Sequence, residues 1–306
     1  MKSEVEEWHV RSMMIHLGSS LSFDLGLTLC CGQAFRWEER GGWWYSVVGE
    51  RVLKVRQKGR DLEFENADKR FIRRYFGLHN NLLRIFEEIN RDGHIDIAVR
   101  QFEGLRILRQ DPWECLISYI CATYKNIAAI RHMLWHLSRK FGERISFDSY
   151  SFFRFPAPAK LRKATLKELT ECGLGYRAKY VSQTAKRICE ADYELEHLRR
   201  ASHDRARREL LSFPGVGQKV ADCVMLFSLG KLEAFPVDVW IRRAILRHYA
   251  SHFPNEFIHR ISRAESLSPS EYTRLNKFGR EYFGRYAGYA QEYLYHYERL
   301  QGNHHD

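Results

Sequence analysis

The stretch Arg207–Leu229, RRELLSFPGVGQKVADCVMLFSL, constrains the fold more than any other. An amphipathic helix runs into Pro214-Gly215-Val216-Gly217, and a second helix follows at once. Proline ends the first helix, and the two glycines permit a tight turn with positive φ and close approach to another backbone. The turn leaves free backbone N–H groups at the start of the second helix, where orphan donors and the helix dipole favour a phosphate. Such a grip positions a protein on DNA without reading bases. The same residues also fit a plain αα-hairpin with a glycine turn.

Lys219 lies two residues past Gly217, in the first turn of the second helix. A helix N-terminus repels cations, so a lysine there is electrostatically unfavourable. Repulsion and desolvation together drive an amine toward its neutral form, which a lysine nucleophile requires. A solvated lysine that neutralises a phosphate fits the same position. Nineteen residues on, Phe235-Pro236-Val237-Asp238-Val239-Trp240 sets Asp238 directly before another helix. Asp238 reads as an N-cap and as a carboxylate facing the lysine across a groove. The two roles are compatible.

Charge points the same way. The 306 residues hold 49 Lys and Arg against 38 Asp and Glu, a net +11 that favours an anionic partner, nucleic acid before membrane surface. The length suggests about two domains. With 44% hydrophobic and 14% aromatic residues, the chain is excluded from the disordered and collagenous classes. No apolar run reaches the ~18–20 residues of a membrane span; Val220–Leu229 is short and contains Asp222. Met1–Ser20 holds no apolar stretch, so no signal peptide is expected. Seven cysteines without a C-x-x-C pair argue against a zinc ribbon or an iron–sulfur loop. No metal or cofactor is expected. The simplest setting is a reducing intracellular compartment, the cytoplasm or nucleoid of a prokaryote or the nucleus of a eukaryote.

The organisation follows from periodicity. Val52–Arg56 and Leu62–Glu65 alternate, with a hairpin signal at Lys58-Gly59-Arg60-Asp61, and Trp37, Trp43, Trp44 and Tyr45 favour strands. The first ~95 residues therefore read as strands. From about Phe102 the period is helical. Asp111-Pro112-Trp113-Glu114 supplies an N-cap, a first-position proline and a glutamate at the capping-box position. Trp113, Leu116, Ile117, Ile120 and Cys121 form the apolar face that follows. Thr165 with Glu168 is a second start signal, and Gly173 a stop. The fold class expected is α+β: an antiparallel twisted sheet domain followed by an all-helical region. The divisions are 1–100, 101–213 and 214–306, the last carrying Lys219 and Asp238.

LLSFPGVGQKVADC followed by FPVDVWIRR resembles the helix–hairpin–helix superfamily of base-excision DNA glycosylases. Within it, the chain resembles the eukaryotic-type 8-oxoguanine DNA glycosylase/AP lyases. CCGQAFRW (30–37), LRQDPWECLISYIC (108–121), GLGYRAKY (173–180) and FGRYAGYAQEYLY (283–295) match further family segments in order. The similarity runs from about residue 21 to 300.

The resemblance implies a role for each matching residue. Lys219 would attack the anomeric carbon and form a Schiff base, and Asp238 would stabilise the oxocarbenium ion. The Gly32 carbonyl would accept the N7–H that 8-oxoguanine has and guanine lacks. Gln291 would bond the Watson–Crick edge of the flipped base, and Cys223 and Tyr295 would sandwich it. Gly215, Val216 and Gly217 would grip the phosphates. Tyr176 would wedge into the duplex, and Arg177 would contact the orphaned cytosine. A pocket, a wedge and an edge reader are what extruding a base requires. The partner implied is double-stranded DNA carrying 8-oxoguanine, with no membrane or protein partner and a monomeric state.

The departures from the family pattern concern the opposite base. Ala122-Thr123-Tyr124-Lys125-Asn126 stands where an asparagine-rich run is expected; Asn126 keeps its type, and Tyr124 replaces an asparagine. Ala129 replaces an arginine that reads cytosine, and Trp240 a phosphate-contacting histidine. Two other readings are a monofunctional alkylpurine glycosylase, which needs no lysine, and a non-catalytic DNA-binding module. Lys219 and the Gly32 segment stand against the first, and Lys219 together with Asp238 against the second. An endonuclease III-like reading lacks its four-cysteine cluster, since no cysteine follows Cys223.

Overall fold

The computed structural model describes residues 12–19 and 21–302, so most of the reading of Met1–Ser20 lies outside the described residues. Five antiparallel strands build the main sheet: β1 (Met13–His16), β2 (Glu38–Arg40), β3 (Trp43–Val48), β4 (Arg51–Lys58) and β5 (Asp61–Glu65). Their order is β1-β5-β4-β3-β2. The tight turn falls where expected: Lys58 pairs with Asp61, and Gly59 takes φ +57° between them. Leu53, Val55, Leu62 and Phe64 face inward and are fully buried, joined by Trp37, Ile72 and Phe76.

The strands end at Glu65, and residues 66–101 are not strand as expected. Helices Lys69–Tyr75, Leu82–Ile89 and Gly93–Gln101 fill this stretch, started by the side chains of Asp68, Asn81 and Asp92 accepting first-turn N–H groups. Leu82, Ile85, Ile89 and Ile95 join the large helical core.

A second correction concerns the region expected to be all-helical. It contains a hairpin, β6 (Arg144–Phe147) and β7 (Tyr150–Phe153). Asp148 (φ +54°) and Ser149 (φ +62°) make its turn. Phe152 packs on Tyr45, Val47 and Val52, so the hairpin covers the outer face of the main sheet. Tyr45 and Val47 face the hairpin while Trp44 and Val48 pack on the inner core, so β3 carries apolar residues on both faces.

The helical core surrounds Pro112–Cys121. Asp111 caps it through the Glu114 N–H (2.8 Å), but the Glu114 carboxylate turns away to Arg36 (2.9 Å) instead of closing a capping box. From Cys115 to Cys121 every residue is buried, because the helix is enclosed on all sides. The Thr165–Glu168 box forms as expected. The hairpin helices are His203–Leu211 and Gln218–Val224, the second continuing as a π-helical turn, Met225–Leu229.

Candidate active site

Gly215 has φ +77°, and a Cβ there would lie 2.6 Å from the Tyr180 ring, so only glycine fits the close approach. Gly217 differs from expectation: its φ is −87°, and it is the N-cap of Gln218–Val224 with no capping side chain. Its value is the missing side chain, which leaves the first-turn N–H groups without a side-chain acceptor.

Lys219 is half-buried in that first turn, its Nζ 5.0 Å from the centre of the Tyr119 ring. Asp238 caps Val239–His248, accepting the Ile241 N–H at 2.9 Å. Burial pushes its carboxyl pKa up, against the pull of that hydrogen bond and of the nearby Lys219 charge. Cys223, one turn beyond Lys219, feels both groups: burial pushes its thiol up to about 12, Lys219 lowers it and Asp238 raises it. The thiol is therefore neutral, a small soft wall for an apolar ring.

The opposite wall comes from two distant segments. Gly32 takes φ +108°, and a Cβ there would stand 2.8 Å from Arg299 Nη1, 3.1 Å from Tyr295 Oη and 3.2 Å from Ile127 Cδ1. Gln33, fully buried, pins this turn: Nε2 donates to Arg106 O (2.7 Å) and Thr28 O (3.0 Å), and Oε1 accepts the Leu108 N–H (2.8 Å). The Gln33 carbonyl accepts the Tyr119 hydroxyl (3.2 Å), so one tyrosine touches the glycine turn with its oxygen and Lys219 with its ring. Gln291, Tyr295 and Arg299 project from one face of Ala287–Gly302 at i, i+4 and i+8. Gln291 is 4% exposed, and its Oε1 has no partner among the described residues.

Glu292 adjoins this wall and was not singled out in the sequence. Burial pushes its carboxyl up to about 7, the Cys31 thiol and Arg299 pulling down and Asp238 pushing further up. A folded value above the ordinary 4.5 means that the native state holds its proton more tightly than the unfolded chain. Stability is therefore lost as pH rises from about 4.5 to about 7, and the loss is complete above that. At ~1.4 kcal/mol per pH unit this is about 3 kcal/mol. Glu292→Gln is expected to stabilise the fold by that order at pH 8 and by little at pH 4.5, as read by urea unfolding. An equal effect at both values would contradict it.

The remaining residues line the rim. Tyr124 (82% exposed, φ +53°) and Tyr176 (57% exposed) are the large aromatics that stand out there. Arg177 is buried; its guanidinium stacks on the Tyr176 ring at 4.3 Å and donates to the Thr123 carbonyl, joining the two loops. The Asn126 side chain is committed as N-cap of Ile127–Phe141, accepting the Ala129 N–H at 2.9 Å. Trp240 packs against the end of the last helix, where a Cβ on Gly302 would meet its ring at 2.3 Å. Tyr119, Glu292 and Arg299 escaped sequence reasoning, although Arg299 continues the four-residue spacing of Gln291 and Tyr295.

A helical hairpin with an uncapped turn, a lysine beside it and a buried carboxylate near that lysine are the arrangement of a helix–hairpin–helix base-excision glycosylase. Residues 117–263 match the HhH-GPD superfamily of base excision DNA repair proteins, and residues 16–116 match the 8-oxoguanine DNA glycosylase N-terminal domain. The chain belongs to the 8-oxoguanine DNA glycosylase family. It is 31% identical to the N-glycosylase/DNA lyase of Saccharomyces cerevisiae, over 89% of this chain and 82% of the yeast protein. A probable N-glycosylase/DNA lyase of Methanothermobacter thermautotrophicus is 32% identical, over 69% of each chain. The fold superposes on the Clostridium acetobutylicum 8-oxoguanine glycosylase/lyase with a TM-score of 0.82 and 33% identity, covering 94% of this chain and 98% of that one.

Proposed function

We propose that this N-glycosylase/DNA lyase removes 8-oxoguanine from duplex DNA through Lys219. The neutral amine attacks C1′, the N-glycosidic bond breaks, and the base leaves with the bonding electrons. The amine nitrogen then gives up two protons, one to the departing base and one to O4′, as the sugar ring opens to a Schiff base. Loss of a C2′ proton expels the 3′ phosphate, and hydrolysis of the imine frees the enzyme. The Asp238 carboxylate stabilises positive charge as it develops on the sugar.

The flipped base lies between Cys223 and Tyr295, with Gln291 on its Watson–Crick edge and the Gly32 carbonyl on N7–H. Gly215, Val216 and Gly217 hold backbone phosphates, and Tyr176 fills the space that the base leaves. The observation that carries this reading is the convergence of Lys219 and Asp238 on Cys223, with Tyr295 near enough to feel the Asp238 charge and set against Gly32. Recognition by hydrogen bonds suits the task, because an undamaged guanine would leave a buried acceptor unpaired. The chain is read as a β-rich unit (1–100), a helical unit (101–213) and a helix–hairpin–helix unit (214–306) that carries Lys219 and Asp238.

Opposite-base selectivity is the test. Tyr124 and Ala129 offer stacking and a methyl group where an amide and a guanidinium would discriminate by ~1–3 kcal/mol per contact. Arg177 keeps some preference for cytosine. Single-turnover excision from duplexes with cytosine, adenine, guanine and thymine opposite 8-oxoguanine is expected to vary about tenfold or less. A preference of a hundredfold or more would contradict this, and no excision from any duplex would overturn the proposed function.

A further inference from the structure

Two unpaired polar groups of opposite kind lie on one face of the last helix. Gln291 Oε1 is an acceptor and Arg299 Nη1 a donor; both are shut off from water and lack a partner among the described residues. Eight residues separate them, ~12 Å along the axis, with Tyr295 between. Burying such groups unpaired is unfavourable, and pairing with something that enters the site would relieve it.

Arg299 is held in place. Its Nη2 donates to the Cys30 carbonyl at 3.1 Å and to His296 Nδ1 at 3.0 Å, and its guanidinium lies 5.4 Å from the centre of the Tyr295 ring. Burial, aided by the Arg299 charge, lowers His296 to about 4, so at neutral pH that nitrogen keeps the lone pair it needs to accept. This leaves Nη1 over Gly32, 2.8 Å from where a Cβ would stand.

We infer that Arg299 is a further lesion-reading residue, donating from Nη1 to the carbonyl oxygen on C8 of the flipped base. The inference rests on the pocket reading above. In 8-oxoguanine, N7–H is flanked by the C8 carbonyl, so a donor beside the acceptor for N7–H meets that oxygen. The Watson–Crick edge, whose donors suit Gln291 Oε1, lies at the other end of the purine. The order acceptor, aromatic face, donor along the helix thus matches the order of groups across the base. Guanine carries only C–H at position 8 and would leave the guanidinium N–H buried and unpaired. Arg299 therefore adds discrimination to that of the Gly32 carbonyl.

The test compares Arg299→Met and Arg299→Lys with the wild-type protein on two duplexes, one carrying 8-oxoguanine and one a preformed abasic site. Arg299→Met should excise 8-oxoguanine ~10–100-fold more slowly while its cleavage of the abasic strand, which has no base to hold, falls less than about threefold. Arg299→Lys, which keeps a donor, should recover at least part of the excision rate. Excision by Arg299→Met at the wild-type rate would overturn the inference. So would parallel loss on both duplexes, the mark of a merely structural role. A wild-type protein that cleaves the abasic strand but leaves 8-oxoguanine in place would instead overturn the pocket reading, and this inference with it.

Discussion

Lys219→Gln is expected to abolish base excision and borohydride trapping together, slowing single-turnover excision ~1,000-fold or more, while affinity for the duplex stays within about threefold. The separation follows from the hairpin. In the proposed reading the phosphates are held by backbone N–H groups after Gly215 and Gly217, where no side chain caps the helix and which a change at Lys219 leaves in place. Glutamine, one bond shorter than lysine, keeps a polar side chain beside Tyr119 but has no nucleophilic nitrogen. A Gln variant that still cross-links to damaged DNA would mean that another amine is the nucleophile. Affinity falling with activity would mean that Lys219 serves chiefly as a phosphate contact.

The second large effect is expected at Asp238, where two roles can be separated by choice of substitution. The carboxylate caps Val239–His248 through Ile241 N and lies close enough to Lys219 to feel its charge. Asparagine is as good a cap but is uncharged. Asp238→Asn should therefore keep the thermal midpoint within a few degrees while excision slows ~100-fold or more, because positive charge on the sugar loses its counter-charge. Asp238→Ala should lose the same activity and in addition about 1 kcal/mol of stability from the missing cap. Activity in the Asn variant near that of wild type would reduce Asp238 to a structural residue.

What could be read in advance was local. The hairpin was legible because proline, glycine and a following helix state their geometry within a few residues, and Asp238 because a cap precedes its helix. Even so, Gly217 serves through its lack of a side chain and not through a positive φ. The helices between Lys69 and Gln101 carried the same kind of signal in Asp68, Asn81 and Asp92, but the alternation before them was extended too far. The Asp148-Ser149 turn lacks the glycine that marks most tight hairpins, so β6 and β7 left little trace. Gln291, Tyr295 and Gly32 were reached through family resemblance. Arg299 was not, because its meaning depends on the fold bringing it to Cys30, 269 residues away.

One amine, on Lys219, is expected to form the covalent intermediate. Borohydride reduction of the wild-type protein on a duplex with a single 8-oxoguanine, followed by proteolysis and mass mapping of the DNA-linked peptide, tests it directly. The account requires a stable adduct on the peptide that contains Lys219. An adduct on another lysine or on the N-terminal amine, or excision with no adduct at all, would contradict it.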